Sequence, residues 1–566
     1  MSERLTGAQA IADMLEGYGV THVFFIPTIL NHTLYELEQR TKISRVMVHS
    51  EKAAAYMADG YARVSGRVGV CMAQVVGAAN LAAGLRDGAM ASSPMIAITG
   101  GAFPHSRDRF QYQEMDDKPA FSPYVKSDTR VETLERLAPT LRQAFRVATT
   151  GRPGAAHIEF ANHHGDALEL VEGDLNLAIE PRFGKLTPFR SAPDPTDVTA
   201  VARLLLAAQR PVIVAGGGVR ASGASAKLVA LAEELNIPVA ASLTGKDVIP
   251  AKHPLSAGVV GLYSRQAAND VVSAADLVFF VGTKTGSLVT LGWKIPAEGT
   301  TVIQLDIDGS SVGLNYPNAA SLVGDALVSL QAVRAEAAQQ QAVEAATDRG
   351  AWIERITSIR DNWYRDQEPL RTSDAIPIRP ERLCADLSEV LPDNAVLVAD
   401  TGHSGVWSAS HIDLNSADQI CLRAAGSLGW AVPGAIGAQC AEPDRPVVCF
   451  TGDGGLWYHM SELETAARWN IPVTFVVNNN DAFNQEIPLW TSAYKGELTG
   501  KHGEMWQFRP TNFSEVARNL GVESIRVADP ADIREAIRVG IAHNGPYLVE
   551  VITDKWITAP KPKTPS

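Results

Sequence analysis

The chain has 566 residues, 46% hydrophobic and 20% charged, which is more than one core organises well and reads as about three globular domains. A formal net charge of −13 offers no basic excess to neutralise phosphates, which argues against a nucleic-acid partner. No apolar run reaches the ~20 residues of a membrane span.

The start, MSERLTGAQAIADMLEGYG, is acidic and amphipathic rather than signal-like. Five scattered cysteines (Cys71, Cys384, Cys421, Cys440 and Cys449) lack CxxC spacing, so a metal cage or disulfide framework is not expected. A reducing cytoplasm is the expected compartment.

In chain order, GAQAIADMLEGYG predicts a helix, THVFFIP a buried strand, HTLYELEQR a helix and SRVMVHS a strand. The helix EKAAAYMADGYARVSG, the strand VGVCMAQ, the helical GAANLAAGLRDGAM and the strand PMIAITG continue the rhythm. Such alternation predicts a parallel sheet covered by helices. The Pro-rich stretch 181–197 reads as a linker.

A second block carries the strands PVIVAGGG, LVFFVGT and TVIQLDID and ends in the connector helix AEAAQQQAVEAATDRG. A third carries AVLVAD, PVVCFTGD, PVTFVVNN and YLVEVIT, followed by the tail KWITAPKPKTPS, which has little that folds. The expected fold class is α/β, with three open, mainly parallel-sheet domains at residues 1–185, 195–345 and 370–558. Ligands of such sheets sit at the carboxyl ends of the strands.

The most informative stretch is TGDGGLWYHMSELETAARWNIPVTFVVNNND, from Thr451 to Asp481. It reads as strand, glycine turn, helix and strand, which brings Asp453 and Asn480 to one edge of a sheet. Gly452, Gly454 and Gly455 let backbone amides approach an anion at a helix start. A carboxylate beside an anion makes sense when a hard divalent cation lies between them, with Asp453, the Asn480 amide oxygen and phosphate as ligands. The unit reads as a Mg²⁺–diphosphate cradle.

This arrangement resembles the GDG-to-NN motif of the thiamine diphosphate-dependent enzymes. The resemblance places metal ligands at Asp453, Asn480 and the Ala482 backbone carbonyl, and names the three domains pyrimidine-binding, middle nucleotide-fold and diphosphate-binding. VMVHSEKAAAYMADGYAR is similar to the segment that supplies the activating glutamate, which implies Glu51. The same likeness puts Leu428 beneath the bent cofactor in AAGSLGW, with Gly426 beside it, and makes Thr401, Gly402, His403 and Ser404 a cap on the diphosphate. The family builds each site between two subunits, so a homodimer or homotetramer acting on a small-molecule substrate is implied.

The nearest branch looks like acetohydroxyacid synthase, 2-hydroxyacyl-CoA lyase and oxalyl-CoA decarboxylase. In that branch YQEMD puts Gln113 at an active-site glutamine. Two departures weigh against a biosynthetic synthase: AQVVGAAN, with Gln74 and Val75, replaces a proline-containing loop, and KTGSLVT puts Lys284 where an arginine meets flavin.

AGGGVR (Gly216–Arg220), Arg152, Asp306 and Asp308 suit FAD or ADP in the middle domain, and a vestigial nucleotide fold is the alternative. Glu486, His403, Gln113 and His32 are the candidates for proton transfer to the second substrate. The expected reaction makes or breaks a carbon–carbon bond beside the carbonyl of a 2-oxo acid or 2-hydroxyacyl substrate, acetolactate synthase-like (pyruvate decarboxylation and carboligation), with a 2-hydroxyacyl-CoA lyase or oxalyl-CoA decarboxylase-like enzyme as alternative. A nucleotide-dependent oxidoreductase and a scaffold with a decayed site are the readings from other classes.

Overall fold

The computed structural model describes residues 3–342 and 347–564. Residues 343–346 of the expected connector helix, and the first two and last two residues of the chain, lie outside that range. Three six-stranded sheets, all parallel, organise the described residues. The expected fold class holds.

The first sheet runs Ser44–Met47, His22–Phe25, Gly69–Ala73, Met95–Gly100, Ala155–Phe160, Val125–Val131. The third repeats that winding with Ile420–Arg423, Val396–Ala399, Val447–Gly452, Val473–Asn479, Tyr547–Ile552, Glu523–Val527. The middle sheet is wound differently: Ser256–Val259, Val239–Ala241, Pro211–Ala215, Leu277–Val281, Thr301–Asp306, Ala320–Val323. In each sheet the order reverses beside the first strand, which opens a crevice at the strand tips. A short antiparallel ribbon, Glu3–Thr6 with Glu172–Leu175, ties the start of the chain to the end of the first domain.

The first and third domains pack through two helices, Glu51–Ser65 and Ala431–Ala441. The first is well specified locally: Ser50 caps it by accepting from the Ala53 amide, and Gly66 ends it at φ +69°. Its interior is alanine-rich and buried from Ala53 to Ala62. The two backbones touch through glycine: a Cβ on Gly437 would lie 1.9 Å from the Met57 carbonyl oxygen, and one on Gly60 2.0 Å from that of Gly434. Glycine is therefore the residue this crossing admits.

Two expectations are refined. LWYHMSELETAARW is two helices, Asp453–His459 and Glu462–Arg468, and the first begins at the aspartate itself. Tertiary bonding accounts for the break: Glu462 is fully buried, and its carboxylate accepts from the His49 amide of the first domain and from Thr465. The tail from Lys555 has no regular structure, yet Lys563 pairs with Gln266 of the middle domain.

Candidate active site

In the third sheet the crevice opens between Val396–Ala399 and Val447–Gly452, and four loops meet there. Asp400 and Thr401 leave the first of these strands, and Gly402 turns the chain at φ +62° into the helix His403–Ser410. Asp453–Gly455 start a helix at the tip of the second, and Asn480–Glu486 follow Val473–Asn479. The turn 425–429 closes the fourth side, with Leu428 Cδ2 4.0 Å from where a Gly402 Cβ would stand.

Asp453 is 2% exposed, and its oxygens accept from the amides of Gly454 (2.8 Å) and Ala482 (2.9 Å). Burial nevertheless raises its carboxyl to about 7, because two amides offset only part of the desolvation. A cation beside it would restore the carboxylate.

The three asparagines divide their work. Asn478 accepts from the Thr553 hydroxyl, and Asn479 donates to Glu550 (2.7 Å), so both serve the sheet. Asn480 is 7% exposed, and its Oδ1 is buried with no partner among the described residues. Native structures rarely leave such an oxygen unpaired.

The Asp453 carboxylate and the orphaned Asn480 amide oxygen are hard oxygen donors of the kind Mg²⁺ takes. Among the described residues no group of three or more His, Cys, Asp or Glu side chains offers a rival metal centre. Of the glycines here, Gly426 alone faces open space, while Gly454 and Gly455 are required by close packing. A Gly426 Cβ would meet nothing within 4 Å, whereas one on Gly454 would strike the Phe483 ring at 2.4 Å and one on Gly455 the Asp400 carboxylate at 2.4 Å.

His403 is neutral, its ring held at about 4 chiefly by burial. Its Nδ1 pairs with Asn484 Oδ1 at 2.7 Å, and the Asn484 amide nitrogen donates to the Ile557 carbonyl. This network assigns the proton to Nδ1 and leaves a lone pair on Nε2. Ser404 is buried with its Oγ against Gly452. Glu486 is partly exposed on the same loop, between buried Asn484 and buried Ile487, and Leu489 is 60% exposed.

Three of the expected site residues, Glu51, Gln113 and His32, have their contacts elsewhere. Glu51 keeps within its own domain, with Oε2 accepting from Asn80 (3.2 Å) and Oε1 against Gly77. Gln113 lies in the turn-rich segment 101–117 at φ +62°. His32 lies in the first turn of the helix Asn31–Arg40, where the amides of His32 and Thr33 bond Glu169, and Gln74 and Val75 follow the strand Gly69–Ala73.

In the middle domain the tips of Pro211–Ala215 and Leu277–Val281 meet so closely that a Gly216 Cβ would lie 2.2 Å from the Gly282 carbonyl. Arg152 reaches across from the first domain to Asp308 at 3.2 Å. Burial raises Asp306 and lowers Lys284 beside them, and Arg220 contacts Asp247 rather than this group.

Sequence reasoning missed Asp400, which carried no motif signal, and a histidine pair. Asp400 is 1% exposed and gathers Thr401 N, Thr451 Oγ1 and Gly429 N, which locks three loops together. The adjacent pair His163–His164 lies in the loop after the strand Ala155–Phe160, with the His163 ring 3.2 Å from the Gln111 amide. Doublet spacing was the signal available for that pair.

A buried carboxylate and an unpartnered amide oxygen at the tips of a parallel sheet, beside the switch point, are the kind of ligand site that α/β enzymes build. Family comparison gives the particular group. Residues 5–120 match the N-terminal thiamine pyrophosphate (TPP) binding domain, 198–333 the central domain and 400–551 the C-terminal TPP binding domain of thiamine pyrophosphate enzymes.

A probable acetolactate synthase large subunit of Methanocaldococcus jannaschii is 32% identical over 97% of this chain and 92% of its own length. Acetolactate synthase isozyme 1 large subunit of Escherichia coli is 28% identical over 98% and 94%, respectively. A putative thiamine pyrophosphate-containing protein of Bacillus subtilis, YdaP, is 28% identical over 97% and 91%. The chain belongs to the thiamine pyrophosphate enzyme family.

Proposed function

We propose that this enzyme is acetolactate synthase-like, decarboxylating pyruvate and joining the two-carbon unit to a second 2-oxo acid. The unpartnered Asn480 Oδ1 beside buried Asp453 carries the reading. The relatives named acetolactate synthase favour this reaction over a 2-hydroxyacyl-CoA lyase or oxalyl-CoA decarboxylase-like one.

Asp453, Asn480 and the Ala482 carbonyl would hold Mg²⁺. Thr401–Ser404, Gly452, Gly454 and Gly455 would enclose the diphosphate, while Gly426 and Leu428 would face the rings. Bound there, thiamine diphosphate supplies a nucleophilic thiazolium carbon and an electron sink for the carbon–carbon bond that breaks. Glu51 of a second copy would be the carboxyl group that faces the aminopyrimidine ring and moves the activating proton. The lone pair on His403 Nε2 receives a proton from substrate, and Glu486 and Gln113 serve the acceptor half of the reaction.

The working unit is a homodimer or homotetramer in the cytoplasm, where the five free thiols stay reduced. FAD or ADP would occupy the middle domain beside Lys284, Arg152 and Asp308. Mass spectrometry of small molecules released from purified protein tests both cofactor assignments. Titration of ligand-free protein with thiamine diphosphate should show Mg²⁺-dependent saturation, and metal-independent binding would refute the cradle.

A further inference from the structure

We infer that Asp87, a first-domain residue, is a positioning residue for the turn 425–429 that carries Gly426 and Leu428. This rests on the reading of Leu428 above. Asp87 lies on the helix Ala78–Ala91 and is 1% exposed. Its Oδ1 accepts from the Ala425 amide at 2.5 Å and its Oδ2 from the Ser427 amide at 2.9 Å. Asp400 takes the Gly429 amide from the other side.

Every second amide of the turn is thus fixed by a carboxylate, and those of Gly426 and Leu428 have no partner among the described residues. Asp87 is itself held: Arg63 Nη2 stands 3.3 Å from its Oδ1, pairs with Asp59, and Nη1 donates to the Arg423 carbonyl. Trp430, the residue after the turn, donates to Asp59 at 2.9 Å and lies 4.5 Å from the Arg63 guanidinium.

The helix Glu51–Ser65 therefore begins at the proposed activating glutamate and, nearer its end, holds the network that sets the Leu428 turn of its own chain. An amide in place of Asp87 has one acceptor oxygen for two peptide N–H groups, and its own N–H₂ would face the second.

Hydrogen exchange of the ligand-free protein reads the turn directly. Asp87→Asn should speed exchange in the peptide covering 424–430, and raise the thiamine diphosphate concentration for half-saturation, by about tenfold each, the loss of one charge-assisted bond. Ser93→Ala removes a hydrogen bond to Asp59 in the same network without touching the turn, and should leave both unchanged.

A double-mutant cycle separates the two ideas. In a Leu428→Ala background the affinity loss from Asp87→Asn should shrink below about twofold, as expected of coupled positions. Leu428→Ala without effect on affinity would sink the reading of Leu428. A full Asp87→Asn effect in both backgrounds would sink the positioning role alone. Should Asp87→Asn fail to fold, Asp87→Glu keeps the charge on Arg63 but shifts both oxygens by one methylene. Unchanged exchange and affinity in that variant would overturn the inference.

Discussion

Replacing Asn480 by leucine should improve the ligand-free protein and ruin the loaded one. The Asn480 amide oxygen is buried and bonded to nothing among the described residues, so it is a cost that only a ligand repays. An unsatisfied buried polar group costs about 1–3 kcal/mol, and leucine, which has the same branching and heavy-atom count, removes that cost while adding apolar burial. For a cooperative unit of about 150–250 residues, each kcal/mol shifts the melting temperature by about 2–4 °C, so the variant should melt about 2–12 °C higher without ligand. Wild type at a hundredfold excess of thiamine diphosphate and Mg²⁺ over Kd should gain about 2.7 kcal/mol, and Asn480→Leu should gain almost none. Scanning calorimetry with and without both ligands reads the two effects together, and the melting order of the proteins should invert between conditions. A variant that melts lower when ligand-free, or that shows the full wild-type shift with ligand, would refute the reasoning.

Other consequences follow from named contacts. Chains carrying Glu51→Gln and chains carrying Asp453→Ala should each be inactive, and co-expression should restore about a quarter of wild-type activity through randomly paired dimers with one intact site. No recovery would place both groups in one chain's site. Gly437→Ala puts a methyl 1.9 Å from the Met57 carbonyl, so denaturant melts should show a loss of about 1–3 kcal/mol or more. Burial holds the His411 ring at about 3 instead of 6.5, so the unfolded chain binds a proton that the folded chain refuses between those values. Stability should fall as pH drops below 6.5, by about 1.4 kcal/mol per unit from this ring, and His411→Gln should flatten that slope.

The cradle was legible because its parts are local: one strand–helix–strand unit places Asp453 and Asn480 on the same edge. The buried central strands were equally plain, since a strand covered on both faces reads as a continuous apolar run. Edge strands hid for the converse reason. Val125–Val131 reads VKSDTRV and Glu523–Val527 reads ESIRV, with polar side chains facing solvent.

Groups that act across the fold left no pattern at all. Asp87 meets amides from another domain, and Asp400 meets loops from three strand tips. The division of labour within Asn478–Asn480 also needed Thr553 and Glu550 from a later strand region to reveal which amide was left free. Helix periodicity ran unbroken through Met460–Ser461, where Glu462 turns instead to an amide of the first domain.

Incubation of purified protein with ¹³C-labelled pyruvate, thiamine diphosphate and Mg²⁺, followed by NMR of the products, tests the proposed chemistry most directly. The account predicts labelled carbon dioxide and acetolactate in equal amounts from wild type, and neither from Asp453→Ala. Acetolactate formed equally well by Asp453→Ala, or pyruvate left untouched by a wild-type protein saturated with both ligands, would contradict it.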